Sequence, residues 1–90
     1  MLEILMRIPK GKVSTYKELA KKLGTNPRTA GAMLRANKNL KYPCYKIVMS
    51  SGRVGGYNRG MKKKIGLLKK DGIEIRNGRI NLKRHFFRLG

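Results

Sequence analysis

The stretch "GKVSTYKELAKKLGTNPRTAGAMLRAN", residues 11–37, holds two helix starts and the stop between them. Thr15 and Glu18 have the spacing of a capping box, in which a hydroxyl and a carboxylate satisfy the free N–H groups at a helix start. Leu19, Ala20 and Leu23 then give a helical apolar stripe, and Gly24 is a natural C-terminal stop. Asn26 follows as an N-cap, with Pro27 at the first helical position. Ala30, Met33 and Leu34 supply the second helix with a buried face. Two short helices joined by a tight glycine turn predict a helix-turn-helix. Read locally, the same pattern also fits an ordinary helical hairpin whose charges are solvated.

The flanks complete the domain. "LEILMRI" (2–8) is a short apolar helix stopped at Pro9. "KIVMSSGRVGGY" (46–57) reads as a hairpin turning at Ser-Ser-Gly. "MKKKIGLLKK" (61–70) places Met61, Ile65 and Leu68 at helical spacing, with lysines on the remaining surface. In "GIEIRNGRINL" (72–82), Ile73 and Ile75 alternate, Asn77-Gly78 turns, and Ile80 and Leu82 alternate again, which is a strong hairpin signal. With no repeat and no low-complexity linker, residues 1–90 read as a single domain. The predicted fold class is α+β: a small winged-helix-like domain with a helix-turn-helix and β-hairpins.

Composition narrows the partners. Lysine and arginine number 23 against 4 acids in 90 residues, a formal net charge of +19. Self-repulsion on that scale is best tolerated beside a polyanion, and counterion release rewards each phosphate contact. Nucleic acid is therefore the expected partner. No amphipathic basic helix with exposed aromatics, no signal peptide and no membrane-length apolar run is visible, so no membrane association is expected. The expected location is inside the cell: cytoplasmic, and nucleoid-associated through DNA.

Scarcity of acids and imidazoles removes most chemistry. Glu3, Glu18, Asp71 and Glu74 are the carboxylates, His85 is the one histidine and Cys44 the one cysteine. That set makes no zinc finger, no Mg²⁺ cluster and no internal disulfide, and there is no Walker-type loop. His85 sits in the basic tail "LKRHFFRLG", where Phe86 and Phe87 are packing or interface residues. Covalent chemistry, if any, falls to Cys44 in "KYPCYKIV" (41–48). Taken alone, Cys44 is equally a small core residue, because free cysteines are commonly buried and inert.

"IPKGKVSTYKELAKKLG", "NPRTAGAMLRAN", "PCYKIV", "SSGRVGGYNRG" and "KKKIGLLKKDG" resemble, block by block and in order, the C-terminal domain of the O6-alkylguanine-DNA alkyltransferases. The resemblance runs from about Leu2 to the second hairpin. It implies a protein that binds double-stranded DNA as a monomer, flips an O6-alkylated guanine out of the stack and takes the alkyl group onto its own cysteine. No cofactor or metal is implied, and the thioether is permanent. Extrusion costs a few kcal/mol that contacts must offset, and a thiolate suits attack on an alkyl carbon.

Residue by residue, the resemblance makes Cys44 the alkyl acceptor. Tyr16 becomes the tyrosine that crowds the phosphate and rotates the nucleotide, and Arg28 the finger that fills the vacated stack. Asn37 becomes the hinge between recognition helix and cysteine loop. Thr15, Ala30 and Arg35 position the DNA backbone, with the helix in the minor groove. Tyr57 and Asn58 close the guanine pocket together with Tyr16 and Ile47, and Lys64 stabilises the departing base.

Three departures follow. The family's histidine after the cysteine, part of a water-linked relay to a glutamate, is Tyr45 here, and the glutamate position is Asp71. The arginine of the same motif is Lys46. The family's N-terminal domain has no counterpart in these residues. A phenol of pKa about 10 is a poor base at neutral pH. Positive charge from Lys46, Lys64 and the chain as a whole is then expected to favour the thiolate in the histidine's place. A rival expectation is an alkyltransferase-like protein that flips lesions without repairing them. A basic architectural or RNA-binding module with an inert cysteine is the other.

Overall fold

Thr15 begins the first helix as its sequence dictates. In the computed structural model, which describes residues 2–39, 41–57 and 59–89, the Thr15 hydroxyl accepts the Glu18 N–H at 3.1 Å. The helix, α1 (Tyr16–Leu23), ends at Gly24 with φ of 72°, the left-handed cap that glycine takes without strain. Asn26 caps α2 (Pro27–Ala36) by accepting the Thr29 N–H at 2.8 Å. The two helices pack through Leu19, Ala20, Ala30 and Leu34, all buried.

The opening segment Leu2–Arg7 is a 3-10 helix that buries Leu5 against this pair. After it, β1 (Ser14–Thr15) runs parallel to β2 (Ile47–Val48), with Ser14 opposite Ile47. Successive strand side chains point to opposite faces. Ile47 accordingly joins the core of the helix pair, while Val48 joins a second core with Val13, Val54, Leu68, Ile73 and Ile80. The second core is covered by α3 (Met61–Lys70) and by the hairpin β3 (Ile75–Arg76) and β4 (Arg79–Ile80). Asn77 and Gly78 turn that hairpin with φ of 52° and 73°, both positive as the tight Asn-Gly turn requires. The α+β winged-helix class stands.

Four local expectations are corrected. The Ser-Ser-Gly turn forms, with the Gly52 N–H on Met49 O and the Met49 N–H on Arg53 O, both at 2.9 Å, but the return segment does not extend this pairing into a ladder along β2. It pairs with the wing instead: Arg53 bridges Arg79, and the Ile80 N–H reaches Gly52 O at 2.7 Å. Leu82 is not in a strand, because Asn81 caps a short helix, α4 (Leu82–His85). Met61 lies exposed, and the buried residue in the first turns of α3 is Lys64. His85 is no loose tail: it is buried and its Nδ1–H donates to Gly11 O at 3.0 Å. Beyond it, Phe87 N–H bonds Val13 O and Leu89 N–H bonds the Glu18 carboxylate, which seats the C-terminal segment on α1.

Gly52 shows how tightly the wing is fitted. Its φ is 94°, and a Cβ there would sit 2.9 Å from the backbone oxygen of Ile80. Gly52→Ala is expected to lower unfolding stability by about 1–3 kcal/mol, from backbone strain and displacement of that strand. Urea unfolding checks it; an unchanged midpoint and slope would contradict this account of the turn.

Candidate DNA-lesion site

Cys44 opens a 3-10 turn, Cys44–Lys46, directly after Pro43. Such a turn has three residues per revolution, so its side chains leave in three directions. Cys44 faces a cavity of about 300 Å³ lined by Asn37, Tyr42, Tyr57, Arg59 and Lys63 among others. Tyr45 borders the same cavity and is half-buried. Lys46 turns under the chain: its Nζ donates to Pro9 O at 3.0 Å and Ile8 O at 3.2 Å and pairs with Asp71 at 3.2 Å.

Asn37 terminates α2 and spans the gap to the cysteine loop. Its Nδ2 donates to Cys44 Sγ at 2.7 Å and to Asn39 O at 3.2 Å, while its Oδ1 accepts the Asn39 N–H at 3.0 Å. The residue expected to be a hinge therefore fixes the loop and touches the sulfur. Cys44 is buried, and burial pushes its thiol above the ordinary value. The Asn37 hydrogen bond and the charges of Lys64 and Arg59 act in the opposite direction without overcoming it. In the free protein burial thus outweighs the positive charge that favours the thiolate. Lys46 is committed to Asp71 and two carbonyls.

Lys64 is wholly buried on α3, where Nζ donates to Ile47 O at 2.7 Å and Gly56 O at 3.1 Å. It also lies 5.6 Å from the Tyr16 ring centre, within cation–π reach. Burial lowers its pKa from 10.5 to about 8. Lys64 therefore holds its proton less tightly folded than unfolded. The burial penalty is carried in full below pH 8 and is relieved, by about 3 kcal/mol, as pH rises to 10.5. Cys44, shifted upward, opposes part of this as soon as an unfolded cysteine begins to ionise, at about pH 8–9, and the half-buried Tyr16 and Tyr45, also shifted upward, oppose it at higher pH. Between pH 8 and 9, Lys64 is expected to add about 1 kcal/mol to wild-type stability, and Lys64→Met to lose that contribution. Urea titrations at the two pH values decide it, and parallel curves would refute it.

The other expected residues divide clearly. Tyr16 leads α1, and its hydroxyl donates to Gly56 O at 3.4 Å. It lines a second, shallower groove with Arg28, Gly31, Arg35, Met49 and Gly55. Arg28 and Arg35 are exposed there. Thr15 and Ala30 are buried, one as a helix cap and the other in the core, so they act by placing the helices. Ile47 is also fully buried and offers its carbonyl to Lys64, not its side chain to the cavity. Asp71 ends α3 and accepts the Gly11 N–H at 3.1 Å beside its Lys46 pair. Asn58 lies outside the described residues.

Sequence reasoning did not single out Tyr42, Arg59, Lys63 or Leu67 as cavity residues. Tyr42 was readable, two positions before Cys44; its hydroxyl donates to Glu3 Oε1 at 2.9 Å and holds the wall. Lys63 and Leu67, four apart, share one helix face, a sign visible once α3 is placed. Among the described residues no group of three or more ligand-type side chains could hold a metal. Nor is any described helix long and apolar enough to cross a membrane.

Comparison with known proteins decides the family. The family model for the 6-O-methylguanine DNA methyltransferase DNA-binding domain matches residues 1–73. The chain belongs to this family. A relative from Picrophilus torridus named a bifunctional methyltransferase/endonuclease is 48% identical over 90 residues, covering 97% of this chain and 30% of that protein. This methyltransferase-family chain thus spans under a third of that relative's length. The crystal structure of O6-methylguanine-DNA methyltransferase from Pyrococcus kodakaraensis is 35% identical, with a TM-score of 0.73 over 80% of this chain and 43% of that one. That of S. pombe ATL in complex with DNA is 25% identical, with a TM-score of 0.84 over 97% of this chain and 90% of that one.

Proposed function

We propose that this chain repairs O6-alkylguanine in duplex DNA by taking the alkyl group onto Cys44. The observation that carries the reading is the sulfur itself, facing a cavity beside Tyr57 with the Asn37 amide on it at 2.7 Å. In this reading α2 lies in the minor groove, Arg28 enters the stack and Tyr16 crowds the backbone until the base rotates out. Arg35 contacts phosphate. Thr15 and Ala30 hold the helices in register for it. The extruded guanine enters the cavity against Tyr57.

The transfer balances simply. The thiol proton leaves to solvent, the Sγ lone pair forms the C–S bond, and the C–O6 bond breaks with its electron pair on the base. The guanine anion then takes a proton. Lys64, held on the Ile47 and Gly56 carbonyls and with a pKa of about 8, supplies the positive charge felt at Cys44, which in this reading stabilises both the thiolate and the departing base. Cys44 ends as a thioether, so one molecule acts once.

A second reading has its own support: lesion binding without repair. The ATL fold covers 97% of this chain against 80% for the Pyrococcus methyltransferase, and the thiol is shifted away from reactivity. Intact mass after incubation with a duplex carrying one O6-methylguanine separates the two. Gain of one methyl group with that duplex, and none with undamaged duplex, is the expected result. Tight lesion binding with no mass gain after long incubation would replace repair by sensing.

A further inference from the structure

Three arginines stand side by side on the wing. Arg53 is opposite Arg79, and Arg79 is opposite Arg76, so all three side chains share one face of adjoining strands. The Arg53–Arg79 pair is flanked by the bonds from Val54 N–H to Gly78 O and Ile80 N–H to Gly52 O. That makes it the non-hydrogen-bonded kind, in which opposed Cα atoms approach to about 4.5 Å. Like charges placed directly opposite destabilise a sheet. Arg76 is relieved by Glu74, but among the described residues Arg53 and Arg79 have no carboxylate within ion-pair distance. All three are exposed.

The row does not stand apart from the groove of α2. It borders a hollow lined by Met49, Gly55, Met61 and Ile65, and Met49 and Gly55 also line the groove that holds Arg28 and Arg35. One basic surface therefore runs from the recognition helix across Met49 to the wing. Guanidinium forks match phosphate oxygens bidentately. Arg76 and Arg79 also lie beyond residue 73, where the family match ends.

We propose that Arg53, Arg76 and Arg79 form a second phosphate-binding surface, which holds the sugar–phosphate backbone of the duplex beside the segment bound by α2. The inference rests on the reading of the chain as a duplex binder. Repulsion within the row is then relieved by DNA, and the wing lengthens the footprint without reading bases.

The test is the salt dependence of binding to an undamaged duplex, for wild type, for Arg53→Gln with Arg76→Gln and Arg79→Gln, and for the same three positions changed to Lys. Each phosphate contact contributes about 0.9 to the slope of log K against log salt. The glutamine variant is expected to lose about 2–3 from that slope, the lysine variant less than 1. In the absence of DNA the glutamine variant should unfold no earlier than wild type. A wild-type slope in the glutamine variant, or an equal loss in the lysine variant, would overturn the inference while leaving duplex binding intact. Failure of wild type to bind duplex at low salt would remove the inference and the proposed function together.

Discussion

Cys44→Ser is expected to gain no mass from a duplex carrying one O6-methylguanine at any pH between 6 and 9, and still to bind that duplex as wild type does. The first half follows from the neighbours. A serine hydroxyl needs a base to become a nucleophile; Lys64 is committed to the Ile47 and Gly56 carbonyls, and the two remaining candidates fail. The Tyr45 phenol is raised by burial and by the charge of Asp71, so it stays protonated. The Asp71 carboxylate already holds the Lys46 ammonium and the Gly11 N–H. The thiol needs less help, because a few per cent of an unperturbed cysteine is ionised at pH 7 and the anion is highly nucleophilic. Burial reduces that fraction, yet a protein that acts once needs only one success.

The second half follows from isosterism. Serine is close in volume to cysteine, and the Asn37 Nδ2 that donates to Sγ at 2.7 Å can donate to a hydroxyl oxygen. The hinge between α2 and the loop should therefore survive. Intact mass and a binding titration on one preparation check both halves. Mass gain by the serine variant would mean that the acceptor lies elsewhere in the chain.

Elements governed by local chemistry were legible in the sequence. Thr15, Gly24, Asn26 and Pro27 each cap or start a helix through contacts within three or four residues, and each does so in the fold. The Asn77-Gly78 turn is equally local. What required tertiary partners was not legible. Lys64 looks like one of a run of solvated lysines until the carbonyls of Ile47 and Gly56 are brought to it. The segment after Gly52 could pair with β2 or with β4, and turn chemistry does not choose between them. Burial of His85 depends on Gly11, far away in the chain. The site divides in the same way. Adjacency in sequence suggested that Lys46 stands beside the thiol, but a 3-10 turn sends Cys44, Tyr45 and Lys46 in three directions.

With Lys46 under the loop and on Asp71, that carboxylate serves the fold: it joins the end of α3, the cysteine turn and the segment around Gly11. Tyr45 rests against the second core with Ile65 and Ile75. The Lys46–Asp71 pair holds the carboxylate in that role, because a buried ion pair that loses a partner is costly.

Tyr45→His is therefore expected to raise the rate of methyl transfer at pH 7 by about 10²-fold, the lower end of what a positioned general base supplies. An imidazole of ordinary pKa about 6.5 is largely neutral at that pH and can take the thiol proton, whereas the phenol cannot. The position lines the cavity of Cys44 and feels the charge of Asp71, which would stabilise the imidazolium formed. Lys46 shares that charge, which holds the expected gain to the lower end. The pH profile carries the sign. In wild type, transfer should rise about tenfold per pH unit from 6 to 8, because the thiolate fraction grows so far below a raised thiol pKa. In the histidine variant the rise should flatten above about 7, once the imidazole is neutral. Single-turnover mass measurements across that range distinguish the profiles. Equal rates in the two proteins would place the slow step in extrusion of the base, before any proton leaves the sulfur.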